Sequence, residues 1–212
     1  MTAEDVVARL ARAAPPNTAK NQPRGDHDLN PGLRDPSRKL VPAAVLVPIV
    51  VHETGLTVLF TRRTEHLDAH AGQISFPGGR LEPDDGDPNV GGPQTAALRE
   101  TEEEIGLPRR SVRLIGTLDT YVTRTGFEIT PVVGLVAPPF TLNLDAFEVA
   151  DAFEVPLAFL LAPENQQRHS RVFEGKERHF YAFPFGDYFI WGATAGMLAN
   201  LMEILSADTD GV

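Results

Sequence analysis

The fold is decided by one stretch: Gly78-Gly79, then an acidic loop broken by glycines, then Arg99-Glu100-Thr101-Glu102-Glu103-Glu104-Ile105-Gly106-Leu107. At about 100° per residue of helix, Glu100, Glu103 and Glu104 share one side. Leu98, Thr101 and Ile105 fall roughly opposite and offer an anchoring face. Like charges three and four positions apart cost roughly 0.2–0.5 kcal/mol per pair in an isolated helix, so this side calls for a cation. Hard carboxylate oxygens on one rigid face suit Mg²⁺ or Mn²⁺. Taken alone, the glutamates read first as a solvated acidic surface, and only their context argues for a site. Pro93 suits a helix start and Gly106 a C-terminal cap, which predicts a helix over about 93–105. The paired glycines allow close backbone approach to a ligand or metal.

Upstream, Val41 to Val51 reads as a buried strand, with Pro42 and Pro48 pointing to an edge or bulged position. His52-Glu53-Thr54-Gly55 is a turn and Leu56 to Arg63 a second strand, together a hairpin. The loop 64–72 and Gln73-Ile74-Ser75-Phe76-Pro77 lead back into Gly78. Downstream, strands are expected at about 112–122 and 127–137 around Thr125-Gly126, then a loop carrying Asp145, Glu148 and Asp151. Val155 to Leu161 mixes strand and helix signals. A hairpin is expected at about 169–185 around Gly175, and a helix from near Ala193 with Leu198, Leu201, Met202 and Leu205 at core spacing. Residues 2–14 read as an amphipathic helix with a Thr2/Asp5 capping box and a Val6, Leu10, Ala13 stripe. The proline-rich arm 15–39 suits packing or a homodimer contact better than catalysis. Strands mixed with few helices give an α+β layered fold.

The chain has 212 residues, enough for one domain with an appended arm. Its formal charge of −10 with no basic run argues against nucleic acid as a partner. With no cysteine there is no disulfide framework or thiolate chemistry. The first 16 residues lack the apolar core of a signal peptide, and the run Leu40 to Val51 is too short for a bilayer. No membrane partner and a cytoplasmic location are therefore expected.

Gly79, Arg99, Glu100, Glu103, Glu104, Gly106 and Leu107 resemble the Nudix box, G-x5-E-x7-R-E-U-x-E-E-x-G-U. That family hydrolyses nucleoside diphosphates linked to another group. Two departures stand out: Gly79 to Leu107 spans six residues more than the 23-position box, and Thr101 occupies an apolar place. Glu82, Asp84 and Asp85 compete for the box's first glutamate. The resemblance implies a Nudix α/β/α sandwich with a mixed sheet, one catalytic helix and a C-terminal helix. Residues 1–39 then form the N-terminal helix and arm, 40–206 the Nudix hydrolase domain and 207–212 a tail. It also implies metal ligation by Glu100, Glu103, Glu104 and the carbonyl of Gly79.

A second motif precedes the box: Leu59-Phe60-Thr61-Arg62-Arg63-Thr64, then Gly72, Phe76, Pro77, Gly78 and Gly79. It is similar to the marker of the Nudix subgroup that hydrolyses coenzyme A, L-L-T-x-R-[SA]-x3-R-x3-G-x3-F-P-G-G, with Asp68 where the marker has arginine. Arg62, Arg63, Gly72, Phe76 and Gly78 are thereby substrate-binding candidates. Glu148-Val149 matches a glutamate-valine pair of similar enzymes, so either Glu148 or Glu103 is the catalytic base, with Arg99 orienting carboxylates. The expected substrate is a small molecule, coenzyme A, cleaved to 4′-phosphopantetheine and 3′,5′-ADP. The alternatives are another diphosphate such as ADP-ribose or a dinucleotide, or a non-catalytic nucleotide sensor. A calcium-binding protein is disfavoured, because the acidic residues lack EF-hand spacing. Among the aromatics, Phe180, Tyr181, Phe183, Phe185, Tyr188 and Phe189 could stack an adenine but read chiefly as core, as does Trp191.

Overall fold

The central strand follows from the sequence's longest apolar run, and the rest of the chain is laid on either side of it. A computed structural model describes residues 1–13, 23–66 and 70–207. In chain order the elements are α1 (Ala3–Arg12), β1 (Arg24–Gly25), β2 (Val41–His52), β3 (Gly55–Arg63), β4 (Ile74–Ser75) and β5 (Gly78–Arg80). Then come α2 (Gly92–Ile105), β6 (Val112–Thr117), β7 (Tyr121–Val122), β8 (Phe127–Val136), β9 (Val149–Pro156) and α3 (Leu157–Leu161). β10 (Gln167–Phe173), β11 (Lys176–Phe185), β12 (Tyr188–Trp191) and α4 (Ala193–Ser206) complete the chain.

Among the described residues β1 to β9 form one mixed sheet, and β10, β11 and β12 a small antiparallel one. β2 runs parallel to β8 along its length and antiparallel to β3 and β5 on its other side. Period-2 alternation sorts its side chains between two cores. Ala44, Leu46 and Val50 pack with Ala96, Ala97 and Ile105 of α2. Val45, Val47 and Ile49 pack with Leu198, Leu201 and Leu205 of α4 and Val6 and Leu10 of α1. The result is helix α2, the sheet, then α1, α3, α4 and the small sheet: the expected α+β sandwich. Among the described residues no helix is long and apolar enough to cross a membrane.

The hairpin β2–β3, the span of α2 and the start of α4 match expectation. So does α1, where Thr2 and Asp5 form the reciprocal cap and Arg9 donates to the carbonyls of Leu205 and Ala207. Of the arm, residues 14–22 lie outside the described residues.

Other expectations need correction. β2 is central despite its prolines. Odd residues of β2 turn their backbone polar groups to β8, as Val41 N–H does toward Gly126, while even residues turn theirs to β3 and β5. Pro48 falls between the residues paired with β3 and those paired with β5, and Pro42 lies past the end of β5, so neither missing N–H breaks the ladder. The strand expected over 112–122 is split into β6 and β7, because beyond Leu118, whose N–H still donates to Pro131, the chain turns away from β8 and the Asp119 N–H donates to Asn200 instead. The loop expected to carry Asp151 ends sooner, at β9, whose acidic residues obscure the alternation. Val155 to Leu161 is the end of β9 followed by the short helix α3, and a third strand, β12, extends the expected hairpin.

Candidate active site

Helix α2 presents its glutamates to the Gly78-Gly79 turn, and both glycines are required by close approach. A Cβ on Gly78, where φ is +153°, would lie 2.4 Å from the Ala44 carbonyl oxygen, while one on Gly79 would collide with the Glu100 carboxylate. The Gly78 N–H donates to Glu104 Oε2 at 3.1 Å. The bonds Leu46 N–H to Pro77 and Leu81 N–H to Pro42 bracket the Ala44/Gly79 pair, so the Gly79 carbonyl turns toward β2. Gly78, rather than the expected Gly79, is the glycine whose backbone polar groups face the helix.

Glu104 is only 7% exposed. Burial pushes its carboxyl up to about 8, and the charges of Glu100 and Glu148 push the same way, against the Gly78 N–H and Arg63. Glu100 is raised too, by burial first and by Glu103 and Glu148, although Arg99 pulls it down. These are carboxylates short of positive charge. The core face of α2 is made by Ala96, Ala97, Thr101 and Ile105, with Leu98 only half-buried. Thr101 fits its apolar place because its hydroxyl donates to the Ala97 carbonyl at 2.6 Å.

Asp85 takes the place of the first glutamate. Arg99 donates to it through Nε at 3.0 Å and Nη2 at 2.8 Å, a bidentate pair. Asp85 also accepts from the Glu82 N–H at 2.8 Å. The Arg99 guanidinium holds the Asp85 carboxyl below the usual range, and Asp85 in turn raises Arg99. Nη1 of Arg99 then reaches Glu100 at 2.9 Å and Glu103 at 3.0 Å. The six additional residues therefore lie between Asp85 and Arg99, in the turns preceding α2.

Two loops close the site from the other side. The carbonyls of Ile105 and Glu104, free at the helix C-terminus, accept from the N–H groups of Asn143 and Asp145, both at 2.9 Å. Asp145 receives the N–H groups of Glu148 and Val149. The Thr64 N–H donates to the Glu148 carbonyl at 3.0 Å and its hydroxyl to the Phe147 carbonyl at 2.8 Å. Glu148 is thereby held, half-buried, near enough to Glu100 and Glu104 to raise both.

Glu100, Glu103, Glu104, Gly78, Gly79, Arg99, Glu148 and Arg63 thus come together. Arg63 shares its sheet face with Leu59, on the α2 side, and its Nε is buried without a hydrogen-bond partner among the described residues. Arg62 takes the opposite face, 4.0 Å from Asp151, which accepts from Tyr188. Phe76 is 2% exposed and stacks on Phe60 at 5.0 Å, so it supports the glycine turn from within the core and does not face the cleft. Gly72 lies in the β3–β4 loop with its Cα against the Glu65 carboxylate. Asp68 lies outside the described residues. Of the six aromatics of the C-terminal hairpin region, Phe183 is fully buried; Trp191, a seventh, is half-buried against Phe180.

Among the described residues no three acidic or histidine side chains form a preformed metal cage. The reason is visible: Arg99 occupies Glu100 and Glu103, and Glu103 is 59% exposed. Glu104 nonetheless fits a divalent cation by donor chemistry and by a buried charge that no guanidinium contacts, and Glu100 lies close enough to raise it.

The family model described as NUDIX domain matches residues 40–175. An uncharacterized Nudix hydrolase NudL from Escherichia fergusonii is 41% identical over 160 residues, covering 75% of this chain and 80% of that protein. The protein of the same description from Escherichia coli O7:K1 is 40% identical with the same coverage. Among solved structures, a NUDIX hydrolase from Alicyclobacillus acidocaldarius has a TM-score of 0.46 and 21% identity over 59% of this chain and 82% of its own. Nudix hydrolases generally need divalent metal ions. The chain belongs to the Nudix hydrolase family.

Proposed function

We propose that this enzyme hydrolyses the pyrophosphate bond of coenzyme A, supported by Mg²⁺ or Mn²⁺. The observation that carries the reading is Arg63. It is a half-buried cation on the α2 side of the sheet, at the cleft rim, with Nε unpartnered among the described residues. Coenzyme A offers a 3′-phosphate that other nucleoside diphosphate derivatives lack, and a charge-assisted bond to it is worth about 1.5–3 kcal/mol. The coenzyme A marker in the sequence points the same way.

Glu100, Glu103 and Glu104 would hold the divalent cation, aided by a backbone carbonyl of the Gly78-Gly79 pair. When bound, the cation neutralises the pyrophosphate and acidifies water. Glu148 takes the proton from the attacking water as its oxygen bonds to phosphorus. The bridging P–O bond breaks on the far side, releasing 4′-phosphopantetheine and 3′,5′-ADP. Glu148 suits the base role better than Glu103, which is exposed and tied to Arg99 at 3.0 Å. Asp85 fixes Arg99, and Arg99 orients Glu100 and Glu103.

The test is turnover of coenzyme A, its 3′-dephospho form, ADP-ribose and diadenosine polyphosphates, with products separated by chromatography. Preference for coenzyme A of tenfold or more in kcat/KM is expected. Equal turnover of coenzyme A and its dephospho form refutes reading of the 3′-phosphate.

A further inference from the structure

Phe147 is 65% exposed although its neighbour in the chain is the candidate base. Its ring centroid lies 4.9 Å from that of His66, tilted by 59°. Thr64 holds the backbone of Phe147 and of Glu148, donating to the carbonyls of both. The other exposed aromatics have different surroundings. Phe173 lies under the Arg124 guanidinium and Phe189 meets His169 edge-on, both in the small sheet on the far side of the molecule from α2.

We propose that Phe147 and His66 form a stacking platform for the adenine of the substrate, so that the adenosine end lies over the β3–β9 edge. This rests on the coenzyme A reading. In the β3–β9 ladder Arg63 pairs with Val149. Phe147 stands two residues before Val149 and His66 three after Arg63, both in turns, so the backbone of the platform lies within about 10 Å of that of the cation at roughly 3.3 Å per fully extended residue. The 3′-phosphate and the base hang from the same ribose, so one nucleoside spans both. A purine presents a flat π face to an exposed ring, whereas the pantetheine arm presents only amides and methylenes.

The test uses the full chain with Mg²⁺. F147W places an indole at the platform, and the wild type, with Trp191 alone, supplies the background emission. Quenching of F147W by 3′,5′-ADP but not by 4′-phosphopantetheine is expected. F147A should raise KM for coenzyme A about tenfold with kcat within about twofold, and F147Y should restore KM, because stacking on a ring contributes binding and not chemistry. Turnover of coenzyme A with no nucleotide-dependent quenching in F147W, or an unchanged KM in F147A, overturns the platform and leaves the substrate reading standing. Quenching by 3′,5′-ADP and ADP-ribose with no turnover of coenzyme A supports the platform and overturns that reading. Stronger quenching by 4′-phosphopantetheine than by 3′,5′-ADP overturns the orientation.

Discussion

Substituting Glu104→Gln should make the metal-free protein more stable while removing its activity. The native carboxyl, ordinarily near 4.5, is pushed to about 8 by burial and by two neighbouring carboxylates. A carboxyl raised on folding binds more protons in the native state, so its cost to stability is absent below pH 4.5, grows through 4.5–8 and is full above about 8. At 1.36 kcal/mol per pKa unit that cost reaches roughly 3–5 kcal/mol between pH 7 and 8.5. Glutamine keeps the shape and can still accept the Gly78 N–H, but burying its amide costs about 1–2 kcal/mol. A net gain of about 1–4 kcal/mol is left, which raises Tm by about 2–16 °C for a chain of this size. Thermal melts with chelator at pH 4.5 and pH 8.5 measure it directly. The gain should appear at pH 8.5 and vanish at pH 4.5. Mg²⁺ should then raise Tm of the wild type more at pH 8.5 than at pH 6, since binding must expel the proton, and should do little for the variant. A variant that melts below the wild type at pH 8.5 would show that Glu104 is not strained by its burial.

Four further substitutions separate the remaining roles. Glu148→Gln should lower kcat by about 10²–10⁴-fold with little change in KM and remove the acidic limb of the pH–rate profile; a silent variant moves the base to Glu103. Arg63→Ala should abolish the preference for coenzyme A over its dephospho form, a loss of about 10- to 150-fold in kcat/KM confined to the 3′-phosphorylated substrate; an equal loss on both compounds would assign Arg63 to the pyrophosphate. Gly78→Ala should cost about 2 kcal/mol or more in urea unfolding, because its Cβ would meet the backbone of β2 at Ala44 and Val45. Gly79→Ala should instead fold nearly normally and lose activity, because there the obstacle is the movable Glu100 side chain.

What could be read from the sequence was local in the chain. The face shared by Glu100, Glu103 and Glu104, the caps at Pro93 and Gly106, and the Thr2/Asp5 box all follow from helical spacing within a few residues. What escaped depends on partners far apart in sequence. Pro48 looks unfit for a central strand until β3 and β5 are seen to divide that side of β2 between them. Phe147 carried no signal, since a single aromatic in a loop has no period, and its position depends on Thr64, 83 residues away. Among Glu82, Asp84 and Asp85, a forward count from Gly79 reaches Asp85 but a backward count from Arg99 reaches Gly91, and the guanidinium of Arg99 decides for Asp85. Phe76 was assigned to the substrate because motif membership does not reveal which way a side chain points.

The charges of the site also explain why the inserted residues are tolerated. Asp85 and Arg99 are tied by two hydrogen bonds, and the chain between them leaves through Gly86 and turns back at Asp87, which accepts from both Val90 and Gly92. The loop can lengthen without moving either end, since closure entropy rises only slowly with length. Arg99 is thus delivered to the same place whatever precedes the helix, and there it compensates Glu100 and Glu103 through one nitrogen. Glu104, a turn further along and buried, is beyond its reach. Its hydrogen-bond donor is a neutral backbone N–H, which cannot cancel a full charge. The cation that the helix face calls for is therefore missing chiefly at Glu104, and this is the carboxylate at which metal binding and proton release should be most tightly coupled.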